Sequence, residues 1–213
     1  VNDVVVEEVK FYTDRTSFKV NSPWGNVEVC IGLLGLHNVK NATASITVSA
    51  LLGIPLEKAA ESLGSFKGVE RRLTIVGEKK GITLIDDYAH HPTEVKSTLS
   101  AIRQRWKDNR VIAIFQPHRY SRMSLLWEEF LNSFHLADEV WVTGVYSAGE
   151  VPGGFDMDLF VKKLRDLHGC VRFYESWKDM VDPILSYLKY GDVVVTLGAG
   201  DVGKLCKELL KHL

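Results

Sequence analysis

The sequence predicts an α/β protein: a doubly wound, mostly parallel sheet over residues 71–213, preceded by a partial α+β segment over residues 1–70. Three observations predict it. Past Arg72, apolar strands and helical stretches alternate regularly, the order expected of crossover units on a parallel sheet. The strand candidates Val111-Ile112-Ala113-Ile114-Phe115 and Val193-Val194-Val195 are apolar throughout, as strands covered on both faces must be. The unusual polar segments fall at the carboxyl ends of strands, where open α/β sheets gather their ligands.

The first 70 residues read differently. Val4-Val5-Val6, Val9 to Tyr12, Ser17 to Val20 and Val27 to Ile31 are short β-rich runs, with Ser22-Pro23-Trp24-Gly25-Asn26 as a hairpin connection. A helix is expected from about Asn38 to Leu52, because Val39, Ala42, Ile46 and Ala50 fall on one stripe and Gly53 stops it. A second spans Leu56 to Leu63, closed by Gly64. Strands followed by helices set this part apart, and the boundary is expected between residues 68 and 73. Beyond it, Leu73–Gly77 and Ile82–Ile85 are strands about a Lys79-Lys80-Gly81 turn. Helices are expected at 93–106, 124–134, 158–167, 177–189 and 201–212, and strands at 110–115, 139–143, 171–174 and 192–197.

Composition bounds the function. Of 213 residues, 46% are hydrophobic and 25% charged, an ordinary globular balance. The 26 Lys and Arg against 27 Asp and Glu leave a formal charge of −1. That gives no global attraction to nucleic acid or to an anionic membrane, so neither is expected as a partner and any anion site must be local. No apolar run approaches the ~18 residues that span a bilayer, and no signal-peptide pattern is present. Cys30, Cys170 and Cys206 have no metal-like spacing and read as reduced thiols, which points to a cytoplasmic protein. The chain opens on Val rather than Met and reads as a segment of something longer.

Four polar segments converge on the carboxyl face of the predicted sheet: 86–92, 116–122, 145–150 and 198–201. His118, Arg119 and Arg122 put three positive donors within five residues, suited to gripping a carboxylate or phosphate. The alternative is a solvated turn paired with Glu128 or Glu129. Asp86-Asp87-Tyr88-Ala89-His90-His91-Pro92 holds two carboxylates and two imidazoles, which could ligate a metal, act as acid and base, or orient a nucleotide. Asp86 or Asp87 could instead simply cap the following helix.

Gly198-Ala199-Gly200-Asp201-Val202-Gly203-Lys204-Leu205 is one residue short of a phosphate-binding loop, with Leu where a metal-binding hydroxyl belongs. It also lacks the third glycine of a dinucleotide fingerprint, so neither a triphosphate loop nor a nicotinamide-dependent dehydrogenase is favoured. Asn38 and Asn41 stand one helical turn apart, and an Asn amide matches adenine N6 and N7. Asn38 also reads as an N-cap. Arg71-Arg72 sits where a cation could reach a ligand.

In order, these segments resemble the Mur ligase family. The strings are G-L-H-N-V-K-N-A at 35–42, G-V-E-R-R-L at 68–73, D-D-Y-A-H-H-P-T-E at 86–94, F-Q-P-H-R-Y-S-R at 115–122, V-Y-S-A-G-E at 145–150 and G-A-G-D at 198–201. The 115–122 string favours the alanine-adding branch. The resemblance implies a Rossmann-like C-terminal domain at 71–213, with the C-terminal portion of the central ATPase domain at 1–70. It implies ATP-dependent joining of L-alanine to UDP-N-acetylmuramate through an acyl phosphate, in peptidoglycan precursor synthesis. Asn38 and Asn41 would then contact adenine, Arg72 the phosphates and Asp87 the ribose. Tyr88, His90, Arg119 and Arg122 would line the acceptor and amino-acid site, with His118 beside them. His90, Arg119 and Arg122 would carry the catalysis.

The family's phosphate-binding loop, its Mg²⁺ ligands and its N-terminal domain have no counterpart here, so they are expected upstream, and the chain alone is expected to be inactive. No metal ligand is assigned within it. The competing expectations are a sister ligase of the muropeptide-recycling or folylpolyglutamate type, and a non-catalytic nucleotide- or substrate-binding module.

Overall fold

A computed structural model describes residues 3–213. Packing divides the chain into two compact units: residues up to Val69 with Ser100–Lys107, and Glu70–Leu99 with Asp108–Leu213.

The first unit is an antiparallel sheet with two helices. Strands β1 (Val5–Phe11), β2 (Thr16–Ser22) and β3 (Gly25–Ile31) pair in that order, followed by α1 (Leu36–Leu51) and α2 (Leu56–Ser65). Alternate residues of β2 and β3, among them Phe18, Val20, Val27, Val29 and Ile31, are buried with the expected α1 stripe of Val39, Ala42, Ile46 and Ala50. Three expectations are corrected. The runs at 4–6 and 9–12 are one strand, because a bulge between Glu7 and Lys10 carries the pairing through. Gly64 does not stop α2, which continues to Ser65 before Phe66 turns extended. Asn38 is not the N-cap of α1. Gly35 holds that place at φ 91°, and the Asn38 amide donates to the Leu34 carbonyl at 2.8 Å.

The second unit is a six-stranded sheet in the order β4-β5-β9-β6-β7-β8. Its strands are β4 (Thr74–Lys79), β5 (Ile82–Asp87), β6 (Val111–Phe115), β7 (Glu139–Thr143), β8 (Val171–Tyr174) and β9 (Val193–Leu197). Only the edge strand β4 is antiparallel to its neighbour. Helices α3 (Pro92–Arg105), α4 (Tyr120–Leu125), α5 (Trp127–Leu131), α6 (Met157–His168), α7 (Val181–Tyr187) and α8 (Gly203–His212) make the connections.

Strands β5, β6, β7 and β9 are buried along their whole length, as strands covered on both faces are, with the polar residues of β5, β7 and β9 at or near the strand ends. Leu84, Ile112, Ile114, Trp141 and Val194 pack with Leu205, Cys206 and Leu209 of α8 and Ile184 of α7. On the opposite face, Phe115 meets Phe130 and Phe134 at ring separations of 5.4 and 5.2 Å.

Local differences from expectation have physical causes. The helix expected at 124–134 is two short ones, starting at Tyr120 and broken at Leu126. The stretch expected at 177–189 opens as a 3-10 turn over Trp177–Met180, capped by Ser176, and becomes α7 only at Val181. Pro183 is tolerated in α7 because it sits in the first turn, where its missing N–H costs nothing.

At the amino ends of the central strands lies a closed ion-pair network. Arg110 grips Asp192 at 2.9 and 2.5 Å and reaches Glu139 at 3.1 Å, and the Tyr187 hydroxyl donates to Glu139. Asp192 and Glu139 are buried, so removing Arg110 strands two carboxylates. The expected outcome of Arg110→Met is a loss of about 3–5 kcal/mol in urea unfolding of the chain. A loss below about 1 kcal/mol, the range of an exposed ion pair, would contradict a structural role for this end.

Candidate functional site

The site grows from the end of β5. Because side chains alternate along a strand, Asp86 and Asp87 leave it on opposite faces. Asp86 turns to the α8 face, where it accepts from Thr196 Oγ1 at 2.8 Å and from Arg71 Nε at 2.9 Å. Asp87 turns to the α3 face and accepts from the backbone N–H of Leu73 at 2.7 Å and of Ala89 at 2.8 Å, with Thr98 also bonded to it. Burial raises the Asp87 pKa, while these N–H groups and Arg72 oppose the rise.

Neither carboxylate caps α3, so the capping alternative is overturned. Glu94 does that work: its Oε2 accepts from the N–H groups of His90 at 2.9 Å and His91 at 3.1 Å, in the manner of a capping box with Pro92 at the first helical position.

Arg71 locks the loop before β4. Besides Asp86, its guanidinium donates to the Gly198 carbonyl at 2.7 Å, and its own carbonyl accepts from Tyr88 N at 2.7 Å. Arg71 and Leu73 have φ of 59° and 49°, left-handed values that cost about 1–3 kcal/mol each and persist only where the surroundings impose them. Arg72, the residue singled out in the sequence, instead extends an exposed guanidinium 3.4 Å from Glu94.

From this base a row of rings crosses the carboxyl ends of β5, β6 and β7. Tyr88 meets His90 edge-on at 5.3 Å, His90 meets His118 at 5.5 Å, and His118 stacks on Tyr146 at 5.7 Å and 10°. His90 Nδ1 lies 2.8 Å from the Tyr88 carbonyl, which can only accept, so Nδ1 carries the proton. His118 is joined to Tyr146 by backbone bonds, Arg119 N to Tyr146 O at 2.9 Å and Tyr146 N to Pro117 O at 2.8 Å. Arg119 sits at φ 67° as α4 begins and is exposed. Arg122 NH1 is 2.8 Å from His118 Nδ1.

Among the described residues, neither Arg119 nor Arg122 makes an ion pair with Glu128 or Glu129. The acidic side chain of this turn is Glu150, bonded to the Ser121 N–H and hydroxyl. Burial, then Arg122, His90 and Arg119, push the His118 pKa down to about 4 against the smaller pull of Glu150.

The structure therefore brings together Tyr88, His90, His118 and Arg122, with Arg119 alongside. Asn38 and Asn41 lie on α1 of the first unit, Asn38 half-buried and Asn41 exposed. Sequence reasoning missed the roles of Tyr146, Arg71 and Glu94, although each stands in or beside a quoted motif.

The glycine-rich 198–203 segment has a packing explanation. A Cβ at Gly200 would fall 2.3 Å from Gln116 Oε1, and one at Gly203 would fall 2.5 Å from Asp86 Oδ2. Gln116 fills the turn itself, donating to Asp201 at 3.0 Å and accepting from Val202 N at 3.2 Å. Two cavities flank the row. One of about 330 Å³ is lined by Arg71, Asp86, Tyr146, Gly200, Lys204 and Lys207. The other, of about 350 Å³, is lined by Gln116, Tyr120, Tyr146, Glu175, Trp177 and Asp201. Among the described residues, no group of three or more His, Cys, Asp or Glu is arranged to hold a metal ion, and no helix is long and apolar enough to cross a membrane.

A doubly wound sheet with arginines and histidines gathered at its carboxyl edge has these groups where open α/β sheets hold their ligands. The comparisons make this specific. Residues 71–200 match the Mur ligase, glutamate ligase domain, and the chain belongs to the Mur ligase family.

A UDP-N-acetylmuramate–L-alanine ligase of Brachyspira hyodysenteriae is 41% identical over 97% of this chain and 47% of its own length. The crystal structure of UDP-N-acetylmuramate-alanine ligase MurC from Thermotoga maritima superposes with a TM-score of 0.81 at 27% identity, over 99% of this chain and 45% of that one. A murein peptide ligase of Psychrobacter arcticus gives 0.69 at 25% identity, over 99% and 44%. The chain spans about half the length of the curated relatives it matches.

The depressed His118 pKa has a stability consequence. Unfolded, this imidazole takes its proton near pH 6.5, whereas folded it waits until about pH 4. Its contribution is therefore fully present above pH 6.5 and is lost as pH falls toward 4. Expected in urea titrations is a shallower decline in stability over that window for His118→Asn than for the unaltered chain. Equal slopes would contradict the depressed value.

Proposed function

We propose that this chain carries the amino-acid-holding part of an ATP-dependent ligase that joins L-alanine to UDP-N-acetylmuramate in peptidoglycan precursor synthesis, acting in the cytoplasm. One observation carries the reading: Tyr88, His90, Arg119 and Arg122 gather at the carboxyl ends of β5 and β6, with two guanidiniums not neutralised by the nearby Glu128 and Glu129. The relatives' names and the better superposition on the alanine-adding structure than on the murein peptide ligase support it.

ATP supplies the phosphoryl group that activates the lactyl carboxyl of the acceptor as an acyl phosphate. The chain's own residues do the positioning. Arg119 and Arg122 hold the L-alanine carboxylate, because guanidinium forks match a carboxylate and fix its orientation. Holding the amine close to the activated carbonyl accounts for much of the acceleration such a site can offer. His90 keeps its Nδ1 proton on the Tyr88 carbonyl, which makes Nε2 the acceptor for a proton of the incoming ammonium.

For the nucleotide, the amides present fit a base. Asn41 is exposed, and Asn38, having donated to Leu34, retains its Oδ1 as an acceptor for the adenine amino group. Arg72 is an exposed cation suited to the phosphates. Asp87 is buried with both oxygens engaged, and it enters by fixing the ribose-side loop. No residue of the chain is assigned to Mg²⁺. Domains beyond the span matched here would supply the metal site and the phosphate-binding loop.

The test uses the complete product of the gene that encodes this chain. It should release ADP and phosphate from Mg-ATP and UDP-N-acetylmuramate only when L-alanine is present, and the 213-residue chain alone should release none. Arg119→Ala should raise the KM for L-alanine about 10- to 100-fold, the scale of a lost charge-assisted hydrogen bond. Alanine-independent turnover, or turnover by the chain alone, would contradict the proposal.

A further inference from the structure

We infer that His118 is a positioning residue: a neutral imidazole that accepts from Arg122 and so aims that guanidinium at the substrate carboxylate. This rests on the ligase reading above and refines it, because it removes His118 from the substrate contacts and gives it a task of its own.

The geometry fixes the tautomer. Arg122 NH1 lies 2.8 Å from His118 Nδ1, and a guanidinium has only donors. Nδ1 must therefore offer a lone pair, which leaves the ring proton on Nε2. The ring is also clamped. Tyr146 stacks on it at 10° and His90 closes at 5.5 Å, while the two backbone bonds between 117–119 and Tyr146 fix its Cα. A clamped acceptor restricts a long side chain that would otherwise lose its freedom only when substrate arrives.

The charges around the ring keep it neutral. Arg122 faces it from α4 and Arg119 from its own turn, His90 joins them from the β5–α3 loop whenever it is protonated, and Glu150, after β7, is an acidic group set against them. Together with burial they hold the pKa at about 4, so the imidazole accepts throughout the neutral range. The choice of a neutral partner matters chemically. A carboxylate orienting Arg122 would cancel the charge on which a substrate carboxylate depends, whereas an imidazole orients it and leaves that charge intact.

Two variants of the complete gene product separate aiming from mere packing. His118→Phe keeps a ring for Tyr146 and removes the acceptor, while His118→Asn gives up the ring and offers an oxygen near the place of Nδ1. The expected result is that the Phe variant raises the KM for L-alanine about tenfold, with kcat and the KM for ATP changed by no more than about twofold. The Asn variant should recover most of that loss. A packing role predicts the reverse order, a silent Phe variant and a damaged Asn variant, and that order overturns the proposal.

Nitrogen NMR of the histidine-labelled product is the second arm. Nδ1 should remain unprotonated and Nε2 protonated between pH 5 and pH 8, and titration of this ring near pH 6.5 overturns the proposal as well. If the unaltered product shows no alanine-dependent turnover, the ligase reading fails and the aiming role fails with it. The spectrum then decides separately whether His118 holds Arg122.

Discussion

Two adjacent carboxylates at the end of one buried strand organise the second unit's carboxyl edge. Asp86 and Asp87 cannot share a partner, since alternation sends them to opposite faces of the sheet. Each is buried and therefore needs hydrogen bonds to replace water. Asp86 draws in Arg71 and Thr196, and through Arg71 the Gly198 turn. Asp87 draws in the amides of Leu73 and Ala89. The loop before β4 and the loop after β5 are thus tied to the same two residues. Tyr88 and His90 leave the sheet from a platform whose left-handed residues, Arg71 and Leu73, would relax if those bonds were lost.

The two ends of the sheet treat their arginines differently, apart from Arg71, which the buried Asp86 holds at the carboxyl end. At the amino ends, Arg110 is closed by Asp192 and Glu139, two carboxylates that more than cancel its charge. At the carboxyl ends, Arg122 leans on a neutral imidazole and Arg119 is exposed. A cation paired with a buried acid is structural, whereas one oriented without being neutralised is available to an anion. This asymmetry, rather than the number of arginines, marks the edge that meets ligands.

Much of this was legible in the sequence. Apolar runs without alternation predicted the buried strands, and motif order placed Tyr88, His90, His118, Arg119 and Arg122 on one edge, because parallel strands all end at the same edge of the sheet. What stayed hidden depends on contacts between distant segments. The pairing of Arg71 with Asp86 spans 15 positions and that of Gln116 with Asp201 spans 85, and no local periodicity encodes either. The tight packing of Gly200 and Gly203 likewise comes from Gln116 and Asp86, so the segment imitates a phosphate loop for a reason of its own. The break at Leu126 and the early start at Tyr120 were obscured because the polar 116–122 stretch reads as a loop, although α4 begins directly after the Arg119 turn.

The central claim, that the Asp86–Asp87 pair holds the loops from which the site is built, is tested most directly by amide hydrogen exchange on Asp87→Ala. The Leu73 and Ala89 amides, deprived of their acceptor, should exchange at least about tenfold faster, while the β6 amides of Ile112 to Ile114 stay as protected as before. Unchanged exchange at Leu73 and Ala89 would show that the platform stands without Asp87, and would contradict the account.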